Sequence, residues 1–232
     1  MVRINHRTWI LLAALGVFGA IGFYVAYHRG RSLWHPLWVR LVSGSSRVED
    51  RLREIERAQP ELVGQTFSGL TLIAYKDPGA LEVWREGRLW ESHPFTARSG
   101  KPGPKRQQGD GQIPEGIYTV AGLNPDSSYH LSLRVSYPNA DDQERARAAG
   151  IVDPGGDIYI HGKDASIGCI AIGDRAIERV FYAAAKCGGT IPIVIAPCRN
   201  PSQAATYAAN RALYDGLAAK IAALTRLTRS AP

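Results

Sequence analysis

A histidine, a cysteine and a glycine stand close together in the stretch Asp157–Asp174, which reads DIYIHGKDASIGCIAIGD. The apolar run Ile158–Ile160 predicts a buried strand that ends at His161, and the segment after Cys169 leads into an amphipathic helix. A cysteine at or near a helix start would be favoured as thiolate by unpaired backbone N–H groups and by the helix dipole. His161 could then serve as base, and the amides around Gly168 and Cys169 could hold an oxyanion.

The same residues also have a purely structural explanation, because most buried cysteines are inert. The surrounding residues favour chemistry. The string HGKDASIGC, followed by a small apolar run, resembles the catalytic signature of the L,D-transpeptidase catalytic domain family, cysteine enzymes of bacterial peptidoglycan. Three upstream strings, GDGQIPEGIYTV, SSYHLSLRVSYPNADD and VDPGGDIYIHG, resemble one branch of that family. The resemblance covers roughly Gly69–Pro197 and implies a mainly β, α+β domain: a mixed sheet or sandwich with covering helices.

The resemblance also implies roles for individual residues. Cys169 matches the nucleophile and His161 its general base, and the backbone carbonyl of Gly162 takes the place of the carboxylate that often orients a catalytic histidine. Ser166 and Gly168 fall at substrate or oxyanion positions of the signature. No cofactor is implied, because acyl transfer through a cysteine needs none.

This chain departs from the commoner family pattern on both sides of the cysteine. Ile167 stands where the family usually has a histidine, before the glycine of the Gly-Cys pair. Ile170 and Ala171 stand where the family usually has an arginine or an asparagine. Both differences concern the acceptor side of the reaction, so they bear on the exact reaction more than on the nucleophile.

The glycine-rich stretch Ser99–Gln112 is predicted to be a loop. Its basic residues Lys105 and Arg106 could contact carboxylates of a peptidoglycan stem peptide. A solvated loop with no ligand explains the same composition equally well.

Composition excludes several other functions. The 232 residues carry a formal net charge of +7, but the basic residues are interspersed with acidic ones, which argues against nucleic acid as a partner. The cysteines Cys169, Cys187 and Cys198 lack metal-site spacing and are predicted to be free thiols, because a strand separates the last two by more than disulfide reach. We therefore expect no metal site.

The N-terminal residues 9–27 form an uncharged apolar run long enough to cross a bilayer. No small-residue cleavage site follows it, which favours an uncleaved signal anchor. Because peptidoglycan lies outside the cytoplasmic membrane, the resemblance implies a single-pass membrane protein whose catalytic domain faces the periplasm.

Four segments are predicted along the chain: a membrane anchor at 1–31, a juxtamembrane linker and helix at 32–66, the catalytic domain at 67–198 and a C-terminal helix at 199–232. Periodicity predicts helices at 47–62, 139–150, 174–186 and 202–228, and strands at 70–76, 81–85, 89–95, 117–121, 130–137 and 190–196.

Three functions remain open from the sequence. The first is a peptidoglycan acyltransferase that forms a thioester on Cys169 with a stem peptide and passes it to an amine of a second stem or of a wall-attached protein. The second is a hydrolase of the same fold, for which the replacement by Ile167 is an argument, and which would cut peptides or release wall-bound protein. The third is a non-catalytic wall-binding protein.

Overall fold

The computed structural model describes residues 45–226, and these contain one mixed sheet of eight strands. The strands are β1 Leu70–Asp77, β2 Ala80–Arg85, β3 Arg88–Pro94, β4 Gly116–Ser127, β5 His130–Val135, β6 Tyr159–His161, β7 Ile170–Ala171 and β8 Pro192–Cys198, in the order β3-β2-β1-β8-β4-β5-β6-β7. The helices are α1 Ser45–Ala58, α2 Ala140–Ala148, α3 Asp174–Lys186 and α4 Arg211–Arg226.

The centre of the sheet is the parallel pair β1 and β8, which is covered on both faces. Along β1, Leu72 and Ala74 belong to the larger core, and Ile73 and Tyr75 belong to a second, smaller core. Successive side chains of a strand point to opposite faces, so a strand buried on both sides reads as a continuous apolar run. This explains the unbroken apolar sequence of β1.

Helices supply the cover on each face. On one side α1 and α3 contribute to the larger core, α3 through Ile177, Val180 and Phe181 at helical spacing. On the other side α4 contributes Tyr214 and Leu217 to the smaller core, and both side chains are buried. The segment predicted as a separate C-terminal helix therefore packs directly on the sheet.

The sheet curls because β4 belongs to both of its halves. Its first residues, Gly116–Thr119, pair with β8, and Val120–Ser127 pair with β5, with register shifts after Val120 and Asn124. Such irregularities bend and twist a strand. The chain after β3 then reaches the opposite edge, where the Thr96 amide donates to the Ala171 carbonyl of β7 at 2.9 Å. The result is a curled half-barrel with helices. The predicted mixed sheet with covering helices is confirmed.

Several predicted boundaries were wrong. The helix expected at 202–228 begins only at Arg211, after 3-10 turns at Pro201–Gln203 and Ala208–Asn210, and the helix expected at 47–62 ends at Ala58, before Pro60–Leu62 forms a 3-10 turn. The strand predicted at 117–121 continues to Ser127. Pro60 accounts for the early end of the first helix, and the register shifts along β4 accompany its extension to Ser127.

The apolar run at 9–27 lies outside the described residues, so the anchor stays a prediction. Within residues 45–226, no helix is long and apolar enough to cross a membrane.

Candidate active site

His161 and Cys169 come together because two short strands pair in parallel. β6 and β7 align Ile160 with Ile170 and His161 with Ala171. Cys169 lies directly before β7, so this pairing brings the backbone next to Cys169 up to β6, the strand that ends at His161. The loop 162–169 connects the two strands.

Cys169 does not lie at a helix start, so that prediction was wrong. The two residues after it are used in β7, and α3 begins only at Asp174. The thiol gains nothing from the helix N-terminus at this distance, because that effect fades within the first turn.

Burial instead raises the pKa of the Cys169 thiol above its ordinary value of 9.0. A backbone hydrogen bond near Tyr159 and the charge of Lys105 lower the pKa, and the charge of Asp157 raises it, but burial outweighs them. Consistent with a protonated thiol, Cys169 Sγ donates to the Asp157 carbonyl at 3.7 Å. The Cys169 thiol is therefore neutral at pH 7 and would need a base to react as a nucleophile.

His161 is arranged as such a base. Its ring is buried, and Nδ1 lies 2.7 Å from the Gly162 carbonyl oxygen. A carbonyl oxygen can only accept, so Nδ1 carries the proton and Nε2 of the neutral ring holds the free lone pair. Burial lowers the pKa of His161 below 6.5, with the Gly162 bond opposing. The ring is therefore neutral at pH 7, when a base is required.

Gly162 holds this carbonyl in place through tight packing. Its N–H donates to the Tyr129 carbonyl at 3.1 Å, and a Cβ at this position would lie 2.5 Å from Asp174 Oδ1. The Tyr129 ring also lies against the imidazole, with 4.6 Å between the ring centroids. The histidine is thus fixed by one hydrogen bond and one aromatic neighbour.

Ser166 and Gly168 shape the backbone next to the sulfur. Ser166 Oγ donates to the Cys169 carbonyl at 2.7 Å and accepts from the Gly168 N–H at 3.3 Å. Gly168 has φ of +122°, and a Cβ there would lie 3.1 Å from the Gln112 carbonyl. Only glycine adopts this conformation easily and tolerates so close a neighbour. The long Gly168 bond leaves its N–H weakly used and available to an oxyanion.

The remaining predicted site residues lie around this centre in different settings. Ile167 is 88% exposed beside the nucleophile. Lys105 is buried and pairs with Asp110 at 2.7 Å, and Arg106 is exposed and uses its backbone N–H to bind the same carboxylate. Substrate binding by Lys105 and Arg106 stays a prediction, and for Lys105 it would require competition with Asp110.

The structure adds two residues that the sequence did not single out. Tyr129 packs on His161, and Asp157 accepts the Cys169 thiol through its carbonyl. Asp157 has φ of +54°, a conformation uncommon outside glycine and enriched for asparagine and aspartate. Its position two residues before β6, after the string Pro154-Gly155-Gly156, was the only sequence signal for it. Residues 45–226 contain no group of three or more metal-ligating side chains that could hold an ion.

Comparison with known proteins identifies proteins to which this chain is similar. YafK of Escherichia coli (strain K12), whose name assigns it provisionally to the L,D-transpeptidases, is 40% identical over 113 residues, which cover 46% of this chain and 44% of YafK. The chain therefore matches less than half the length of this curated relative.

Solved structures show weaker likeness. The helical cell shape determining protein Pgp2 from Campylobacter jejuni is 19% identical, with a TM-score of 0.44, over 66% of this chain and 56% of that one. L,D-transpeptidase 1 of Mycobacterium tuberculosis is 18% identical, with a TM-score of 0.34, over 55% and 60% of the two chains.

The family profile described as the L,D-transpeptidase catalytic domain, YkuD, matches residues 71–195, more than half of the sequence, and this range contains His161, Gly162, Ser166 and Cys169. The chain belongs to the L,D-transpeptidase catalytic domain family.

Proposed function

We propose that this protein is a peptidoglycan L,D-transpeptidase that acts on stem peptides through a thioester on Cys169. The observation that carries the proposal is the hydrogen bond from His161 Nδ1 to the Gly162 carbonyl. It leaves Nε2 unprotonated at the end of β6, the strand that pairs with β7 directly after Cys169. A neutral thiol beside a neutral imidazole is the starting state for general-base activation of a nucleophile.

The reaction then runs in two halves. The thiol proton moves to His161 Nε2 as Cys169 Sγ attacks a stem-peptide carbonyl, and the N–H groups of Gly168 and Cys169 stabilise the oxyanion. The peptide C–N bond breaks, the leaving amine takes the proton from His161, and a thioester remains. An amine of a second stem attacks the thioester, the C–S bond breaks, and the thiol is restored.

Intact-protein mass spectrometry on the full chain, incubated with purified muropeptides, tests this function. We expect an acyl adduct on Cys169 and cross-linked or exchanged products. Cys169→Ala should abolish both, and Cys198→Ala, which removes another free cysteine, should abolish neither.

Other outcomes would assign a different function. An adduct that yields only shortened stems or released wall protein would indicate a hydrolase. Full activity of Cys169→Ala would refute both enzymatic functions, and binding of wall material with no adduct would indicate a non-catalytic protein.

We also propose that residues 9–27 anchor the protein in the cytoplasmic membrane and that the catalytic domain faces the periplasm. The length and apolarity of this run support the proposal. The full chain should resist alkaline extraction from membranes, and a protease added to spheroplasts should digest the catalytic domain. Release into the soluble fraction at high pH would contradict the anchor.

A further inference from the structure

Asp157 carries a carboxylate close enough to influence the Cys169 thiol through its charge. Its backbone has φ of +54°, and its own carbonyl accepts the Cys169 thiol at 3.7 Å. The carboxyl oxygen Oδ1 is buried, and no hydrogen-bond donor within residues 45–226 reaches it. A buried carboxylate oxygen with no donor costs free energy, so a native protein that keeps one calls for an explanation.

The nearby polar groups do not satisfy this oxygen. The Tyr159 hydroxyl hydrogen-bonds to the Asp157 carboxylate but leaves Oδ1 without a donor. Lys105, close enough to influence the Cys169 thiol, is held by Asp110 at 2.7 Å and by the Gln107 carbonyl at 2.8 Å. Oδ1 of Asp157 thus keeps an unused acceptor position that is buried from solvent, in a residue whose backbone carbonyl contacts the Cys169 sulfur.

The Asp157 charge also works against the first half of the reaction. It raises the pKa of the Cys169 thiol, because a negative neighbour opposes formation of a thiolate. A carboxylate that hinders acylation must help elsewhere if it contributes to the reaction. The second half brings in an amine, which is positively charged in solution and which a carboxylate attracts.

We infer that Asp157 Oδ1 binds the ammonium group of the acceptor stem and directs it toward the thioester on Cys169. The inference rests on the proposed function and deepens it, because it names the residue that would bind the acceptor amine. An N–H donor bound to Oδ1 would satisfy the buried oxygen, and a charge-assisted hydrogen bond is among the stronger kinds.

The ammonium bound to Asp157 gives one proton to His161 Nε2. The imidazole can accept this proton because it became neutral again when the first leaving amine departed. The resulting amine attacks the thioester carbonyl, a C–N bond forms, and the C–S bond breaks. The new amide nitrogen gives its excess proton to the Cys169 thiolate, and His161 returns its proton to water.

Asp157→Asn tests the inference, because it keeps the size of the side chain and removes the charge. The matched control is Asp164→Asn, which makes the same charge change at an exposed position of the neighbouring loop. Two quantities are measured on the full chain with a tetrapeptide stem as donor: the rate of acyl-enzyme formation by mass, and the acceptor concentration that gives half-maximal cross-linking.

We expect Asp157→Asn to form the acyl-enzyme at the wild-type rate or faster and to need at least about tenfold more acceptor. Cross-linking should fall relative to hydrolysis of the thioester. Asp164→Asn should match the wild type in both measurements. An unchanged acceptor requirement in Asp157→Asn, or an equal rise in Asp164→Asn, would overturn the inference.

A binding measurement separates failure of this inference from failure of the proposed function. Calorimetry compares a stem peptide with a free side-chain amine and the same peptide with that amine acetylated, on the wild type and on Asp157→Asn. We expect wild-type protein to prefer the free amine and the variant to lose the preference. If no adduct forms on Cys169, the proposed function fails, and the calorimetry still decides on Asp157: equal binding of both peptides to the wild type overturns its role.

Discussion

The pH dependence of Cys169 alkylation follows directly from the geometry of the site. Burial raises the pKa of this thiol above 9.0, so at pH 7 the thiolate amounts to less than about one part in 100. Because the thiolate is the species that reacts with iodoacetamide, the rate should rise about tenfold from pH 7 to pH 8 and should keep rising toward pH 9. A thiolate paired with a protonated imidazole would instead react at a nearly constant, high rate across this range.

The imidazole supports the same expectation. The pKa of His161 is lowered below 6.5, so its ring has no charge at pH 7 with which to stabilise a thiolate. The pKa of the imidazole lies below 6.5 and the pKa of the thiol lies above 9.0. The population with a thiolate and an imidazolium is therefore less than about one part in 300 of the population with a neutral thiol and a neutral imidazole. Substrate turnover should nevertheless persist down to pH values below 6.5, because the base stays neutral there.

Peptide mapping after timed alkylation is the assay, since it reads Cys169 separately from Cys187 and Cys198. The urea-unfolded chain is the control, and its Cys169 should react several-fold faster at pH 7, because unfolding removes the burial. A flat alkylation rate between pH 6 and pH 8 that exceeds the rate of the unfolded chain would refute the neutral-pair reasoning and would indicate a preformed thiolate.

Three further predictions concern residues that hold the site and the fold together. Tyr214→Phe removes the hydrogen bond of 2.7 Å from the Tyr214 hydroxyl to the buried Glu115 carboxylate. The free energy of unfolding should fall by about 2 kcal/mol, which corresponds to a fall in Tm of about 4–8 °C. An unchanged urea midpoint would contradict this. Gly162→Ala should lower turnover about 100-fold, because its Cβ would collide with Asp174 Oδ1 at 2.5 Å and shift the carbonyl that orients the histidine; wild-type turnover in a folded variant would count against that role. Ser166→Ala loses the bond of 2.7 Å to the nucleophile's carbonyl and should reduce acylation about tenfold while Tm changes little, whereas an unaltered acylation rate would show that the bond is dispensable.

Much of the fold was predictable because local periodicity and burial agree. The helix predicted at 174–186 has those bounds in the structure, since its apolar positions recur at helical spacing and Gly188 and Gly189 follow it. The strands β1 and β2 likewise lie within a residue of their predicted limits. Prediction failed in β4, whose polar second half, up to Ser127, is held by cross-strand pairing rather than by its own composition.

The candidate site, like the fold, was predictable only in part. The residue types and order in HGKDASIGC are enough to identify a histidine, a cysteine and the glycines between them as one unit. The sequence could not exclude a helix start at Cys169, because Ile170 and Ala171 fit a helix or a strand equally well until β6 is available to pair with them. That pairing joins residues ten positions apart across a loop, and the propensity of each residue for helix or strand carries no information about it.

By itself the sequence determined the family, the identity of the nucleophile and base that we propose, and the turn and loop positions that only glycine fills without strain. The tertiary structure decided how those groups are protonated and what surrounds them. Burial sets the directions of the pKa shifts of Cys169 and His161, and the fold leaves the buried Asp157 Oδ1 without a donor. These properties depend on which atoms exclude water from a group, and that is fixed only when separate strands and loops pack together.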